Sequence, residues 1–299
     1  MNKITVTLLV LLSLALAGVG ASFALQASSY PMSSGKGNPT EYTRDVNVGN
    51  FNAIDASISI DVHYTPSQKT SVRIVATERL LQYVEARVNS GTLTLTMSKE
   101  YANGNNKLRR KGDKVTVYVT APQISSFTAS TSADIKCSVP LTGIKKLKVD
   151  ASTSGDISLG SVQADEAVVY ASTSGDVDIK SLEVKSLKAD ASTSGDIGID
   201  RLKADVVSAD ASTSGDLEIE YARIVSLNSS ASTSGEVKID GQAKGIKVKV
   251  ETGGDFKGSD LISQDAEVDA SVGGSAYVNA VRCNASSSVG GSVKNYYRD

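Results

Sequence analysis

The hexapeptide Ala-Ser-Thr-Ser-Gly-Asp occurs at residues 151–156, 171–176, 191–196 and 211–216, and residues 231–236 repeat it with a final Glu. The copies follow one another every 20 residues without drift. A degenerate copy precedes them at Ala129, and three degraded copies follow from Val250, Ala270 and Ser287. A fixed period of this length indicates a solenoid, in which each repeat forms one coil and stacks on its neighbours.

Alternation of side chains along a strand predicts which residues of the repeat face the core. With the Ala numbered position 1, Leu147, Val149, Ala151 and Thr153 share one face, and the charged residues and serines between them share the other. We therefore expect the Ala and Thr to point inward, with the Thr hydroxyls stacked in a buried column. Gly155 is expected to turn the chain with a positive φ.

The rest of the repeat contains two more apolar alternations. Positions 7 and 9 are always apolar, and positions 12 and 14 are mostly so. Each coil thus has three short strands, and stacked coils pair in parallel at about 4.8 Å per step. The predicted fold is all-β, a right-handed parallel β-helix of about eight coils, because parallel crossovers are right-handed.

The N-terminal sequence predicts export. Residues 1–24 combine Lys3, an apolar run from Ile4 to Val19 and small residues before Ala24, which is typical of a signal peptide, with an uncleaved anchor as the alternative. Residues 25–40 read as a flexible leader. Residues 41–299 are expected to form one β-helix domain, irregular over 41–125 and regular over 126–299. No later segment is apolar enough to span a bilayer, so the periplasm or cell surface is expected.

The irregular region shows alternating strand patterns at 58–62, 72–76, 93–97 and 115–119, and residues 78–83 suit a helical turn. The polar, basic stretch 103–113 reads as a solvated loop. Cys137 and Cys283 suggest a disulfide in an exported protein. The repeat places them about 30 Å apart, beyond the roughly 7 Å that a disulfide tolerates, so two free thiols are predicted.

Acidic side chains occupy the outward positions 6, 8 and 10 of the second strand, where ten acids face only Lys180 and Lys238. The position-6 acids form a column of five: Asp156, Asp176, Asp196, Asp216 and Glu236. Their mutual repulsion is a real cost unless it is offset. Solvation of the carboxylates, or their capping by backbone N–H groups of the same turn, is favoured over bridging Ca²⁺, because the column lacks the carbonyl and bidentate ligands of tight calcium sites. No other cofactor is expected.

Several function classes are disfavoured by composition. A net charge of -2 argues against nucleic acid as a partner. His63 is the only histidine, is expected at the surface, and belongs to no catalytic motif. The acidic side also lacks the cluster of bases that polysaccharide lyases need. We therefore expect no enzymatic activity.

The stretches 43–96 and 114–135, followed by the Ser-Gly-Asp repeats, resemble the bacterial family of "putative auto-transporter adhesin, head GIN domain" proteins common in Bacteroidetes. The resemblance implies a pectin-lyase-like right-handed β-helix without catalytic residues and a role in cell adhesion. The first hypothesis is therefore an exported module that contacts a surface protein or glycan. A polysaccharide-acting β-helix enzyme and a periplasmic structural protein are the alternatives.

Overall fold

The computed structural model describes residues 41–103 and 113–298. The predicted signal peptide, the predicted leader and most of the basic stretch 103–113 lie outside these residues. Within the described ranges, no helix has the length and apolar character needed to cross a membrane.

The described chain is almost entirely β-structure. The strands are β1 Glu41–Val46, β2 Ala53–Ser57, β3 Ile60–Pro66, β4 Ser71–Thr77, β5 Val84–Asn89, β6 Thr92–Met97, β7 Val115–Ala121, β8 Ser126–Ser130, β9 Asp134–Cys137, β10 Leu141–Ser152, β11 Asp156–Ser172, β12 Val177–Ser192, β13 Asp196–Ser212, β14 Asp216–Ser232, β15 Glu236–Glu251, β16 Asp255–Ala270, β17 Ser275–Ser287 and β18 Ser292–Asn295. Two short helices are α1 Glu78–Leu81 and α2 Lys99–Asn103.

The repeats form stacked parallel coils, as predicted. From β10 to β18 each strand pairs in parallel with the next, and the alanines of successive repeats, such as Ala171 and Ala191, lie opposite one another. The result is a β-solenoid of about eight turns with roughly 20 residues per turn. Each turn is one long strand whose pairing is interrupted twice, for example at Gly160 and at residues 164–165. These interruptions divide each coil into three sides.

The stack begins one coil earlier than the first repeat that the sequence indicated. β2 pairs in parallel with β8, which places Ala56 opposite Ala129. Ile58 and Ser59 have φ of 60° and 57°, like Thr131 and Ser132 in the next coil. The strand predicted through Ile58 is therefore wrong, and this segment is a degenerate repeat corner. The sequence did not reveal this repeat, because Ile58 stands at the Thr position and Ile60 at the Gly position.

Antiparallel strands finish the N-terminal end of the solenoid. β4 pairs with β1 and β7, and β5 pairs with β6, while β7 and β6 continue the parallel stack through β3 and β2. The Arg44 guanidinium donates to the carbonyl of Leu81 at 2.8 Å, which ties β1 to α1. The predicted strands over 72–76, 93–97 and 115–119 and the helical turn near Glu78 are confirmed.

The corner of each repeat differs from the prediction. Thr153 is exposed, and it and Ser154 adopt left-handed backbone with φ of 51° and 60°, so no buried Thr column exists in the described coils. Gly155 is buried and does not supply the positive φ. A Cβ at Gly155 would lie 2.6 Å from the carbonyl carbon of Ala129 in the coil below. Glycine is therefore required by close stacking of the coils, and the Thr and Ser make the turn.

Ser194→Gly is expected to stabilise the protein by up to about 1 kcal/mol, because a left-handed conformation costs an L-residue about 1–2 kcal/mol and Gly avoids this cost. The chain already places Gly253 at the equivalent corner position, with φ of 70°. Ser192→Gly, at the end of β12, is the matched control and should destabilise by roughly 0.5–1 kcal/mol. Urea denaturation would measure the stability of both variants. Equal losses of stability would contradict the assignment of the left-handed turn to the Thr and Ser of each corner.

The core is a narrow column of small and aliphatic side chains. Buried positions repeat in register from coil to coil, as in the column of Leu187, Val207 and Leu227. Ser229 is a buried polar exception, and its hydroxyl donates to the carbonyl of Ala209 at 3.0 Å. Bulky buried rings lie near the two ends, at Tyr64, Phe127 and Phe256.

Both cysteines are free, which confirms the prediction. Seven successive strand pairings, from β9–β11 to β16–β17, separate Cys137 from Cys283, or about 34 Å at the usual strand spacing. Burial raises the pKa of the Cys137 thiol to about 11 and also raises the pKa of Cys283, which is only half-buried.

Thiol labelling of the native protein at pH 8 should therefore modify Cys283 first and leave Cys137 protected until the chain unfolds. Intact mass after labelling measures the number of modified thiols. The Cys283→Ser variant is the control and should take up no label in the native state. Rapid labelling of that variant would contradict the burial of Cys137.

Candidate functional site

The five acids predicted as a column lie together on one side of the solenoid. Residue pairing places Asp156 opposite Asp134, Asp196 opposite Asp216, and Glu236 between Asp216 and Asp255. The backbone carbonyl of Asp176 accepts from the N–H of Ile157, which places it in the same row. We call this row, from Asp134 to Asp255, the acidic column.

The carboxylates of the acidic column are capped from the next coil. The N–H of Asp176 donates to Oδ1 of Asp156 at 3.4 Å, and the N–H of Asp216 donates to Oδ1 of Asp196 at 3.2 Å. The sequence predicted a cap from the same turn, and that detail is wrong. The backbone there already bonds within the turn, since the N–H of Gly155 donates to the carbonyl of Ser152.

The members of the acidic column lie close enough to repel one another. Burial, followed by the charge of neighbouring carboxylates, raises the pKa of Asp156, Asp176 and Asp216. Lysines relieve the repulsion at both ends, where Lys136 lies 3.4 Å from the Asp134 carboxylate and Lys257 lies 2.5 Å from the Glu236 carboxylate. The column is thus an anionic surface whose charge is only partly compensated.

That Ca²⁺ does not bridge the acidic column stays a prediction. Over residues 41–103 and 113–298, no group of three or more His, Cys, Asp or Glu side chains is arranged to hold a metal ion. Carboxylates that follow one another at the strand spacing supply one ligand per coil, whereas calcium takes six to eight oxygens.

Asp176→Asn is expected to raise the melting temperature at pH 7. The folded pKa of Asp176 lies above its unfolded value. The stability that the Asp176 carboxyl contributes is therefore fully present below the unfolded pKa and is lost as the pH rises through the folded pKa. The gain of the variant over the native chain should therefore vanish as the pH falls to about 4.

Asp165→Asn is the matched control for this titration, because the partnership with Lys185 lowers the pKa of Asp165. Its variant should be less stable than the native chain at pH 7. Thermal melts between pH 4 and 7 would measure both, and a shift of the same sign in both variants would contradict the account.

A second surface, which the sequence did not predict, is a groove along the bend at residues 164–165 and at the equivalent residues of the other coils. It consists of two adjoining hollows of about 530 and 480 Å³. Residues 143–145, 163–165, 183–185 and 203–205 line the first, and residues 203–205, 223–225, 242–244, 262–264 and Val281 line the second. The groove therefore runs past eight successive coils.

The two halves of the groove differ in charge pairing. In the N-terminal half, Lys185 pairs with Asp165 and Lys203 pairs with Glu183, each at 2.7 Å. These pairs join side chains of adjacent coils, so the charges in this half are largely neutralised. They are exposed to solvent, so each contributes little to stability.

The C-terminal half combines cations with aliphatic side chains. Arg223 and Lys244 form no ion pair with any described residue. Near them, Val225, Ile262 and Val281 are 44%, 53% and 49% exposed. Solvation of such large apolar side chains in one hollow is unfavourable, which makes this half a candidate contact surface.

The groove was missed because its walls come from positions whose residue types change from coil to coil. The repeat pattern marks the constant positions, whereas the corner at residues 164–165 is visible only as a gap in strand pairing. One signal was available, namely the aliphatic Val225, Ile262 and Val281 at outward positions of the repeat.

His63 lies on β3, opposite Tyr118 of β7. Its ring is half-buried and stacks on Tyr118 with ring centroids 5.4 Å apart. It borders a separate hollow of about 400 Å³ together with Lys136 and Lys180. The prediction of a surface position is therefore correct only in part.

Comparison with known proteins gives a consistent picture of the fold. A family model described as "Putative auto-transporter adhesin, head GIN domain" matches residues 50–224 and 213–298. A "putative adhesin" of Parabacteroides distasonis has a TM-score of 0.63 at 18% identity, covering 87% of this chain and 98% of that one. A "putative adhesin" of Bacteroides fragilis has a TM-score of 0.53 at 22% identity, covering 82% and 97%.

A third similar structure has a different description. It is a "putative lipid binding protein" of Parabacteroides distasonis, with a TM-score of 0.51 at 17% identity, covering 87% of this chain and 97% of that one. No curated protein matches the chain. At these identities the solved structures show a shared fold and carry no residue roles across.

Proposed function

Because the chain belongs to the head GIN domain family of auto-transporter-like adhesins, we propose that it is an exported, non-catalytic module that acts by holding a partner at a cell surface. The proposal extends the family assignment with one structural feature, the groove along the corner of the solenoid.

The observation that carries the proposal is the C-terminal half of the groove. Three aliphatic side chains and two cations without an ion-pair partner among the described residues lie in one concave surface. A ligand that covers them removes apolar area from water, at about 25 cal/mol per Å². The rigid, paired coils preorganise this surface, so little conformational entropy is lost on binding.

A lipid is the second candidate for what the module holds, besides a surface protein or glycan. The exposed aliphatic residues favour it, and one similar structure is described as lipid binding. For a polysaccharide-acting enzyme, the basic side chains of His63, Lys136 and Lys180 border one hollow beside the N-terminal end of the acidic column, but Lys136 pairs with Asp134 and the His63 ring stacks on Tyr118. We therefore place an enzyme behind a binding module.

Adhesion of protein-coated beads to bacterial and epithelial cells tests the proposal. Ile262→Asp places a charge on the aliphatic part of the groove and should reduce bead binding at least fivefold, on the order of 1 kcal/mol. Tyr221→Asp is the control, since Tyr221 is 65% exposed and lines neither hollow of the groove. Equal binding by both variants would contradict a role for the groove.

Localisation is tested independently by protease treatment of intact producing cells. A surface module should be degraded without lysis of the cells. Protection in intact cells and release by outer-membrane permeabilisation would favour the periplasmic structural alternative instead.

A further inference from the structure

The chemical character of the C-terminal half of the groove changes from coil to coil along the stack. Lys203 and its partner Glu183 stand at one end, Arg223 and Lys244 follow in the next two coils, and Ile262 and Val281 lie in the last two. Charge that is paired between coils thus gives way to the cations Arg223 and Lys244, with the Asp205 carboxylate in the same hollow, and then to aliphatic surface. Adjacent coils are about 4.8 Å apart, so cations and aliphatic side chains lie within reach of one small ligand.

Polar groups at the aliphatic end are already bonded within the protein. The Ser263 hydroxyl, which is buried, donates to the carbonyl of Asn279 at 3.3 Å. The Asn279 amide donates to the carbonyl of Ser259 at 3.0 Å. An extended peptide placed there would need partners for several backbone amide groups, and Gln242 and Gln264 are the side-chain amides that line this hollow. A hydrocarbon chain has no such groups.

We propose that the groove binds a single-chain amphiphile with an anionic head group, a carboxylate or a phosphate, as a free monomer. The head group pairs with Arg223 and Lys244, and the aliphatic tail lies over Ile262 and Val281. Arg presents a planar fork of donors that suits both kinds of oxyanion. The inference deepens the proposed function and rests on the groove being its contact surface.

Laurate in solution, below the concentration at which it forms micelles, is the probe. Calorimetric titration of the full exported chain should show saturable binding that weakens with added salt. Acetate, which lacks the tail, and dodecyltrimethylammonium, which reverses the head charge, should not bind. Binding of both long-chain probes with equal affinity would overturn the role of the cations.

Two variants test the two ends of the site separately. Arg223→Gln with Lys244→Gln should raise the Kd for laurate at least about tenfold, as expected for loss of charge-assisted hydrogen bonds. Ile262→Asn should also raise it, without changing its salt dependence. Lys180→Gln, beside a different hollow, is the matched control and should bind like the native chain.

The outcomes separate this inference from the proposed function. Failure of laurate to bind, or binding only to vesicles of anionic phospholipid, overturns the inference even if Ile262→Asp still abolishes adhesion. Saturable laurate binding that Arg223 and Lys244 control, together with unchanged adhesion of Ile262→Asp, upholds the inference and overturns the proposed function. Circular dichroism of each variant confirms that it is folded.

Discussion

Gly195→Ala is expected to destabilise the protein by about 3 kcal/mol or more, because the new Cβ would lie 2.5 Å from the backbone nitrogen of Ser172 and 2.6 Å from the carbonyl carbon of Ala171. Both atoms belong to the backbone of the coil below, which cannot move aside without breaking its pairing. The loss should appear as a lower urea midpoint, and separate unfolding of the two halves of the stack is expected since each coil contacts mainly its neighbours.

Gly245→Ala is the matched control for this substitution. A Cβ at Gly245 meets nothing within 4 Å, and its φ lies outside the left-handed range. The variant should be as stable as the native chain or more stable by up to about 1 kcal/mol. If Gly195→Ala and Gly245→Ala lost the same stability, close stacking could not be the reason for the repeated glycine.

Phe127→Ala is the second substitution with a large expected effect, a loss of about 3–5 kcal/mol. Phe127 is fully buried and its ring lies 5.9 Å from that of Tyr64, at the junction between the irregular region and the repeats. Its neighbours in the adjacent coils, Ile54 and Val149, are held in paired strands and cannot close the cavity. Thermal and urea denaturation would measure the loss.

Tyr221→Ala provides the comparison for Phe127→Ala, because this ring is 65% exposed. Its loss should change the free energy of unfolding by less than about 0.5 kcal/mol. A loss at Phe127 no larger than that at Tyr221 would contradict the packing described for the junction.

The coil could be predicted because its register repeats. The spacing of Ala151 and Ala171 sets the period, and alternation around them sets the inner and outer faces, so the parallel stack and the separation of the cysteines followed. The same alternation failed at Thr153, because it assumes extended backbone, and the chain there turns through two left-handed residues. The role of Gly155 was misjudged for the same reason.

The candidate site, like the coil, could be predicted only in part. The acidic column could be predicted from one constant position of the repeat, and its members do lie in register. The N–H groups that cap its carboxylates could not be predicted, because each donor belongs to the adjacent coil. The groove depends on where the coil bends, and outward residues such as Arg223 and Ile262 acquire a common role only when the bend brings them together.

The central claim, that the molecule acts through its groove, is tested most directly by photo-crosslinking on intact cells. A photoreactive amino acid at position 262 in the groove should give a covalent adduct with a cell-surface component, and the same group at position 221 should not. Equal adducts from both positions, or none from position 262 in a protein that still binds cells, would contradict the claim.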